Sequence, residues 1–293
     1  MVHSQIQPGP LVVVVGETGS GKSALAMELA RRLNGEIICA DSWKVYKGFD
    51  IGTAKPSRED REVVPHHLLD IADPGEGYSA ALFKEQTSSV IEDILQRGRL
   101  PILVGGSGLY IDSILYSYSF LDSADLSERA KLNTMELPEL LGYAEELGLD
   151  MNGIDIRNKR RIVRHIENRG VRPDRKPLRA STCVIGLLVP RDELEGRIER
   201  RVDTMLAAGL EDEVRQLSKS YGWDVEPMKG IGYREWKDYF HAGKTLAETR
   251  QAIIRDSLQL AKKQRTWFRR NNSIHWLSDP SEAVDIVTTH LNK

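Results

Sequence analysis

The stretch LVVVVGETGSGKS, residues 11–23, joins an apolar run to a glycine-rich turn. Residues 11–15 are all Leu or Val, a run typical of a parallel strand that is buried on both faces. The turn matches G-x-x-x-x-G-K-S, the pattern of a loop whose backbone N–H groups surround a phosphate. Residues 24–33 carry helical spacing, so a helix N-terminus would add its dipole to this anion site.

We therefore predict that the loop binds a diphosphate or a nucleotide. Its predicted ligand-binding residues are Gly16, Glu17, Thr18, Gly19, Ser20, Gly21, Lys22 and Ser23. Lys22 would place a positive charge on the phosphates, and Ser23 could ligate Mg²⁺. The loop does not identify the ligand, because kinases, NTPases and transferases all use it.

Strand and helix patterns alternate outward from this loop. Residues 36–40, 100–104 and 182–189 read as strands, and residues 80–97, 191–218 and 246–270 read as helices. Alternation of this kind predicts an α/β fold, a P-loop NTPase-like doubly wound parallel sheet. Residues 122–179 look helical and lack a clear strand, which indicates a helical insertion domain. We expect a core in residues 1–121 and 180–293, interrupted by an insert at residues 122–179.

Composition sets further limits on the protein class. The 293 residues carry a formal net charge of -2, so a polyanion site must arise from local clustering of cations. The two cysteines, Cys39 and Cys183, have no paired spacing, which argues against disulfides and zinc and suits a reducing cytosol. Residues 1–10 do not resemble a signal peptide, and no apolar run has membrane-spanning length. We expect a cytoplasmic monomer without membrane association.

Asp41 and Ser42 follow the second predicted strand. Carboxyl ends of strands line the ligand crevice of open α/β sheets, so Asp41 would face the bound phosphates. Two functional roles are open for Asp41, an Mg²⁺-linked acid or a general base. A helix N-cap is an equal alternative, because Asp and Ser both favour that position.

Basic residues cluster strongly between residues 157 and 179. This segment holds ten Lys and Arg residues against two acids, Glu167 and Asp174. Arg157, Arg160 or Arg161, and Arg164 recur at helical spacing and would share one face. Such clustering predicts contact with a nucleic-acid phosphate backbone. The alternative is a solvated helix whose charge is balanced elsewhere.

Two other groups of residues favour structural roles. Lys262, Lys263 and Arg265 lie near Trp267 and Phe268, whose rings could stack on bases. The helical spacing favours a core position for these rings. His66 and His67 lack the carboxylate or cysteine spacing of a metal site, so we interpret them as structural. They could also line the pocket that holds the donor.

Several ordered blocks resemble the tRNA dimethylallyltransferase (tRNA isopentenyltransferase) family. They are DSWKVYKGFDIGTAKP at residues 41–56, PHHLLD at 65–70, DP at 73–74, YSA at 78–80, VGGSGLY at 104–110, RRIVR at 160–164, RIERRV at 197–202, GL at 209–210, EV at 213–214, IGY at 231–233 and AKKQRTWFR at 261–269. The resemblance covers about residues 12–270 and is more specific than the phosphate loop alone.

The resemblance implies transfer of a dimethylallyl group from dimethylallyl diphosphate to the exocyclic amine of an adenosine beside the anticodon. It implies Mg²⁺ as cofactor and the tRNA anticodon stem-loop as partner. The loop would then hold the diphosphate of an allylic donor rather than a nucleoside triphosphate. We also expect the reacting adenosine to be flipped out of its stack.

By the same resemblance, the catalytic residues would be Asp41 as general base, Ser107 as a polar contact and Arg201 on the diphosphate. The residues implied to bind tRNA are Asp41, Ser42, Trp43, Lys44, Ser107, Arg129, Arg160, Arg161, Ile162, Val163 and Arg164. Chemistry alone leaves a helix N-cap open for Ser107 and a solvated helix face open for Arg201. The chain departs from the family pattern at Glu17, Lys44 and Ser107, where proline, glutamine and threonine are usual.

Two other functions compete with this interpretation. A small-molecule P-loop kinase would explain residues 16–23 and Asp41, but neither the basic segment nor the ordered blocks after Tyr46. A non-catalytic RNA-binding protein with a relic phosphate loop would explain the basic segment. Prenyl transfer from a labelled donor to tRNA, as opposed to ATP consumption, separates these possibilities.

Overall fold

A parallel sheet organises the protein, and the all-apolar first strand lies inside it. The computed structural model describes residues 9–118, 120, 126–171 and 176–292. The strands in these residues are β1 (Leu11–Val15), β2 (Gly35–Ala40), β3 (His66–His67), β4 (Leu100–Gly105), β5 (Thr182–Leu187) and β6 (Ile274–Leu277). Their spatial order is β3-β2-β4-β1-β5-β6, and every neighbouring pair is parallel. The predicted doubly wound parallel sheet is confirmed.

Helices connect these strands and cover the sheet. Those that share the sheet's compact unit are α1 (Lys22–Arg32), α2 (Arg58–Val63), α3 (Ala80–Gln96) and α4 (Gly108–Leu115), and later α8 (Arg191–Ala207), α9 (Leu210–Tyr221), α10 (Trp236–His241), α11 (Leu246–Phe268) and α12 (Ala283–Leu291). Between them in the chain lie α5 (Leu126–Thr134), α6 (Leu137–Glu146) and α7 (Lys159–Glu167).

Burial of apolar side chains explains where these elements pack. Every residue of β1, β2, β4 and β5 is buried, as expected for strands covered on both faces. α1 turns Leu25, Ala26, Leu29 and Ala30 toward β1 and β4 in one apolar cluster. A second cluster joins α8, α9 and α11.

The strand order brings three loops together at one edge of the sheet. In the sheet β4 lies between β1 and β2, and all three strands are parallel. The carboxyl ends of β1, β4 and β2 are therefore neighbours. This arrangement creates the crevice in which open α/β sheets bind ligands.

Some elements differ from the sequence-based expectation. The helix predicted over residues 191–218 is two helices, because Gly209 adopts the left-handed φ of 94° between the end of α8 and the start of α9. β3 and β6 were not predicted. β3 has two residues, and β6 is only partly buried, so neither carries a long apolar run.

The described residues divide into two compact units. One is drawn from Met1–Leu115 and Leu178–Lys293, and the other from Tyr116–Pro177. In the second unit α5, α6 and α7 enclose a small core that includes Leu132, Leu140 and Ile162. The predicted border at residue 122 lies outside the described residues, and Arg179 belongs to the first unit.

Among the residues that the structure describes, every helix is too short or too polar to cross a lipid bilayer.

Candidate active site

A cavity of about 550 Å³ opens at the carboxyl ends of β1, β4 and β2. Charged side chains dominate part of its wall. These are Lys22, Arg31, Asp41, Lys44, Lys55, Asp60 and Arg201. Apolar residues such as Ala26, Met27 and Ile37 line another part. The cavity can therefore hold a ligand that combines negative charge with apolar groups.

The phosphate loop forms one wall of this cavity. Gly19 and Gly21 adopt φ of 84° and 94°, a backbone region that side chains with a Cβ rarely enter. Thr18, Lys22 and Ser23 line the cavity, and Lys22 Nζ donates to the Glu17 carbonyl at 3.1 Å. Burial, together with the charges of Arg201 and Lys44, lowers the pKa of Lys22 from 10.5 to about 8. A bound anion would raise this pKa again, because a nearby opposite charge favours the charged form.

Glu17 is a correction to the predicted set of ligand-binding side chains. Its carboxylate is buried and binds the Arg265 guanidinium, with Arg265 Nη2 at 2.9 Å from Glu17 Oε2. Arg265 Nη2 also donates to the Val189 carbonyl at 3.1 Å. A carboxylate committed to an arginine on α11 holds the loop in place, and only the backbone of Glu17 is left to meet a phosphate.

The segments that hold Asp41 and Ser107 are in contact beyond the ends of β2 and β4. Ser107 Oγ accepts from Ser42 N at 3.2 Å, and Asp41 Oδ1 accepts from Trp43 N at 2.9 Å. Residues 42–45 form a turn, so Asp41 is not the N-cap of a helix. Ser107 precedes α4, but its hydroxyl bonds across to Ser42 instead of capping that helix. Asp41 thus lines the cavity, and Ser107 directly follows Gly106, which lines it.

Arg201 reaches the same place from α8. Its side chain is half-buried and lines the cavity with Lys22 and Asp41. Nη2 donates to the Thr53 carbonyl at 3.4 Å. Burial lowers the pKa of Arg201, and the nearby Asp41 carboxylate opposes that shift. The helix face that carries Arg201 is therefore turned to the cavity and is not a solvated surface.

A smaller cavity of about 70 Å³ adjoins the first one. The two share Thr18, Asp41 and Arg201. Apolar side chains form most of the rest of its wall, namely Trp43, Ile198, Val202, Met205, Ile231, Ile253 and Leu260. Trp43 thus faces the small cavity, whereas its neighbour Lys44 lines the large one.

The second unit holds the remaining predicted residues, and two of them need correction. Ile162 and Val163 are buried in the core of that unit, which leaves their side chains no surface for RNA. Arg160 and Arg161 are exposed on α7. Arg157 lies before α7 begins, so it does not continue the helical face. Arg172 and Arg175 lie outside the described residues.

Arg129 and Arg164 share an acidic partner that the sequence did not reveal. Arg129 binds the Glu167 carboxylate, with Nη2 at 2.8 Å from Oε2, and Arg164 Nη1 lies 3.3 Å from Oε2. The Glu167 side chain is fully buried, and Arg129 hydrogen bonding lowers its pKa. Both arginines therefore stabilise this unit whatever else they bind.

Sequence reasoning missed further residues that shape the cavity. Gln264 of α11 lines the large cavity and bonds to two of its loops. Lys55, almost fully buried, binds Asp50 and Asp70 at 2.6 Å each. Glu213 accepts from the backbone N–H groups of residues 50–52 and from Tyr233. The partners of Gln264, and the backbone partners of Glu213, lie more than 150 positions away in the chain, so packing sets those contacts.

The histidine pair is divided between two environments. His66 lines the large cavity, and His67 Nε2 donates to Glu36 at 2.6 Å. The described residues hold no group of three or more His, Cys, Asp or Glu side chains able to ligate a metal. Ser23 is exposed at the cavity wall, where its hydroxyl is available to a cation carried in by a phosphate ligand.

Comparison with known proteins extends the likeness far beyond the phosphate loop. A family model described as IPP transferase matches residues 44–271. The chain is 39% identical to the tRNA dimethylallyltransferase of Anoxybacillus flavithermus, covering 94% of this chain and 92% of the relative. It is 40% identical to that of Roseiflexus sp., covering 94% and 95%.

Solved structures share the fold as well. The tRNA isopentenylpyrophosphate transferase of Bacillus halodurans superposes with a TM-score of 0.76 at 36% identity, covering 97% of both chains. A eukaryotic dimethylallyltransferase described as acting on tRNA gives a TM-score of 0.76 at 26% identity, covering 96% of this chain and 77% of that one.

Proposed function

The chain belongs to the tRNA dimethylallyltransferase (IPP transferase) family, and on that premise we propose how its residues perform the transfer. The donor is dimethylallyl diphosphate, and the acceptor is the N6 amine of the adenosine 3′ to the anticodon. The bond between the allylic carbon and the diphosphate oxygen breaks, a bond between that carbon and N6 forms, and diphosphate leaves.

The observation that carries this proposal is the shared position of Asp41, Lys22 and Arg201 on one cavity. Negative charge develops on the departing diphosphate in the transition state. Fixed cations and loop amides that face this charge provide the largest catalytic contribution. Lys22 and Arg201 supply that charge, and the Arg201 guanidinium can contact two phosphate oxygens at once.

Asp41 is the general base in this proposal. The amine loses a proton as the new bond forms, and a carboxylate within hydrogen-bond reach accepts it. One Asp41 oxygen accepts from Trp43 N, which leaves the other oxygen for the substrate. The Ser107 hydroxyl is bonded to the backbone N–H of Ser42, the residue after Asp41. In this proposal the same hydroxyl contacts the acceptor.

The small apolar cavity suits the five-carbon group of the donor. It begins at Asp41 and Arg201, where the reacting carbon must lie, and its remaining wall is mostly hydrocarbon. Burying the dimethylallyl group there removes apolar surface from water and fixes the reacting carbon. Met205 and Ile253 are among the side chains that would contact this group.

Magnesium fits the residues that are present. The Ser or Thr hydroxyl of a phosphate loop is a ligand for Mg²⁺, so the exposed Ser23 would hold the ion, with further ligands from phosphates and water. When bound, the ion would neutralise charge on the diphosphate.

The acceptor RNA is held, in this proposal, by the exposed arginines of α7. Arg160 and Arg161 offer positive charge to the phosphate backbone of the anticodon stem-loop. Reaching the N6 amine requires the adenosine to leave its stack, and the cost of unstacking is a few kcal/mol.

A small-molecule kinase would need none of these features, and the family match from residue 44 to residue 271 speaks against that function.

Replacing Asp41 with asparagine tests the proposed base. Asn keeps an oxygen for the Trp43 N–H, so the turn should survive, but it cannot accept a proton. We expect transfer of labelled dimethylallyl to unmodified tRNA to fall by roughly 10²- to 10⁴-fold, with tRNA and pyrophosphate binding unchanged.

Asp60→Asn is the matched control, because Asp60 lines the same cavity from α2. Its transfer rate should stay near that of the wild type. If Asp41→Asn transferred the label at the wild-type rate, or lost binding and turnover together, Asp41 would not be the base. ATP hydrolysis with no dimethylallyl label on the tRNA would overturn the proposed function altogether.

A further inference from the structure

Gln264 on α11 joins the two loops that form the cavity. Its side chain is buried, and Oε1 accepts from Thr18 N at 2.8 Å. Nε2 donates to the Gly106 carbonyl at 3.2 Å. One amide side chain thus spans the gap between the loop after β1 and the loop after β4.

These two loops carry different halves of the proposed reaction. Thr18 belongs to the phosphate loop, which holds Lys22. Gly106 precedes Ser107, whose hydroxyl accepts from Ser42 N beside Asp41. A continuous set of contacts therefore runs from the diphosphate loop through Gln264 to the proposed general base.

The fit around Gln264 is tight. A Cβ added at Gly106 would lie 2.3 Å from Gln264 Nε2, too close for the amide to stay in place. Glycine at residue 106 is therefore a condition for the Gln264 contact. The requirement comes from close approach rather than from backbone conformation, since Gly106 has no positive φ.

Neighbouring residues hold α11 against both loops. Arg265 binds the Glu17 carboxylate in the phosphate loop, with Nη2 at 2.9 Å from Oε2. Trp267 Nε1 donates to Asp112 Oδ2 at 3.1 Å, on the helix that follows Ser107. Three nearby side chains of one helix thus fix the loops on either side of the crevice.

We propose that Gln264 is a positioning residue that sets the separation between the diphosphate loop and the loop bearing Ser107, and through the Ser107–Ser42 contact the position of Asp41. This inference rests on the proposed function. The fixed separation places the allylic carbon against the adenosine amine as the diphosphate departs. An error of about 1 Å in such a geometry can cost roughly 100-fold in rate.

A looser separation has a chemical signature. The allylic carbon loses the diphosphate oxygen in both outcomes. In transfer the carbon bonds to N6 and the amine proton passes to Asp41. In hydrolysis a water oxygen bonds to the carbon, the water proton passes to the carboxylate or solvent, and dimethylallyl alcohol and diphosphate form. The ratio of alcohol to modified tRNA therefore reports positioning.

The test is a double-mutant cycle on Gln264→Ala and Gly106→Ala. Both single variants should raise the ratio of alcohol to modified tRNA and lower kcat, by roughly tenfold to 100-fold. The KM for the donor and pyrophosphate binding should change little. In the double variant the added methyl group has room, so Gly106→Ala should add no further loss.

Gln259→Ala is the matched control, because Gln259 lies on an exposed part of α11. If Gln264→Ala fails to fold, Gln264→Glu keeps the shape and the acceptor for Thr18 N but loses the donor to Gly106. It should still raise the alcohol ratio.

Two results would overturn the inference. One is a folded Gln264 variant in which the ratio of alcohol to modified tRNA is unchanged and the loss of kcat merely parallels a loss of thermal stability. The other is a double variant in which the effects of the two substitutions on kcat and on the alcohol ratio simply add. Failure of the proposed function is distinct, because the wild-type protein itself would then modify no tRNA with this donor.

Discussion

Lys22 is the residue at which the local environment most changes an ordinary ionisation. Burial, Arg201 and Lys44 lower its pKa from 10.5 to about 8, while Asp41 and Cys39 oppose the shift. The protonated form supplies the charge that a diphosphate needs. At pH values above about 8 the free protein holds this lysine neutral, so anion binding then requires uptake of a proton.

The pH dependence of pyrophosphate binding tests this account of Lys22. We expect affinity to be constant below the pKa of about 8 and to weaken as the pH rises through it. Lys22→Arg should remove that alkaline decline, because a guanidinium stays charged throughout the range. Titration calorimetry at several pH values measures both. An identical decline in the arginine variant would assign the ionisation to another group.

Lys44 places a further positive charge beside the phosphate loop. The family pattern has glutamine there, whereas this chain places a cation on the wall of the large cavity. Its charge acts on Lys22, Cys39 and His66 alike, so its ammonium group lies near all three. The predicted contact of Lys44 with tRNA stays a prediction.

At the scale of the element, β2 carries an ion cluster at the end opposite the cavity. The Glu36 carboxylate is almost fully buried and accepts from Arg97, Arg99 and His67, with the Arg99 and His67 contacts at 2.9 and 2.6 Å. Hydrogen bonding from Arg97 is the main cause that lowers the pKa of Glu36 from 4.5 to about 2, and burial opposes it. The cluster ties β2 to β3 and to the start of β4.

Acid should therefore unfold the protein partly through Glu36. Because its folded pKa lies below its unfolded value of 4.5, its contribution is complete above pH 4.5 and disappears as the pH falls toward 2. A shift of this size corresponds to about 3 kcal/mol. Glu36→Gln should lower the free energy of unfolding at pH 7 and flatten its loss between pH 4.5 and 2.

Urea unfolding at several pH values measures this effect. Glu92→Gln, at an exposed position of α3, is the control and should leave stability nearly unchanged. A Glu36→Gln variant as stable as the wild type at pH 7 would show that the cluster adds no net stability.

For the whole molecule, the proposed function divides the two substrates between different parts of the sequence. The proposed diphosphate site lies in the unit with the sheet, and the predicted RNA-binding arginines lie in the unit of residues 116–177. Arg160 and Arg161 are exposed there, whereas Arg129 and Arg164 bind the buried Glu167. Removing either of the latter two would weaken the fold of the unit as well as any RNA contact.

Neutralising Arg160 and Arg161 together should weaken tRNA binding. The slope of log affinity against log salt should fall by about 0.7 to 0.9 for each lost phosphate contact. Binding isotherms at four salt concentrations measure the slope, with Arg58→Ala in α2 as the control. Unchanged slopes in the double variant would exclude these arginines from the RNA interface.

Local patterns in the chain were sufficient to determine the backbone around the site. The apolar run of β1, the glycines of the phosphate loop and the helical spacing after it predicted a doubly wound sheet, and the structure confirms it. The same patterns placed Asp41 and Ser107 at strand ends. Such features depend on neighbours within a few positions, so the sequence displays them directly.

Only the tertiary structure decided which side chains meet. Gln264 lies 246 positions from Thr18, and Arg265 lies 248 positions from Glu17, yet each pair is in contact. The tertiary structure also buries Ile162 and Val163 in a core and pairs Arg129 with Glu167. These choices depend on how whole elements pack, because burial and hydrogen bonding select partners by position in space and not by distance along the chain.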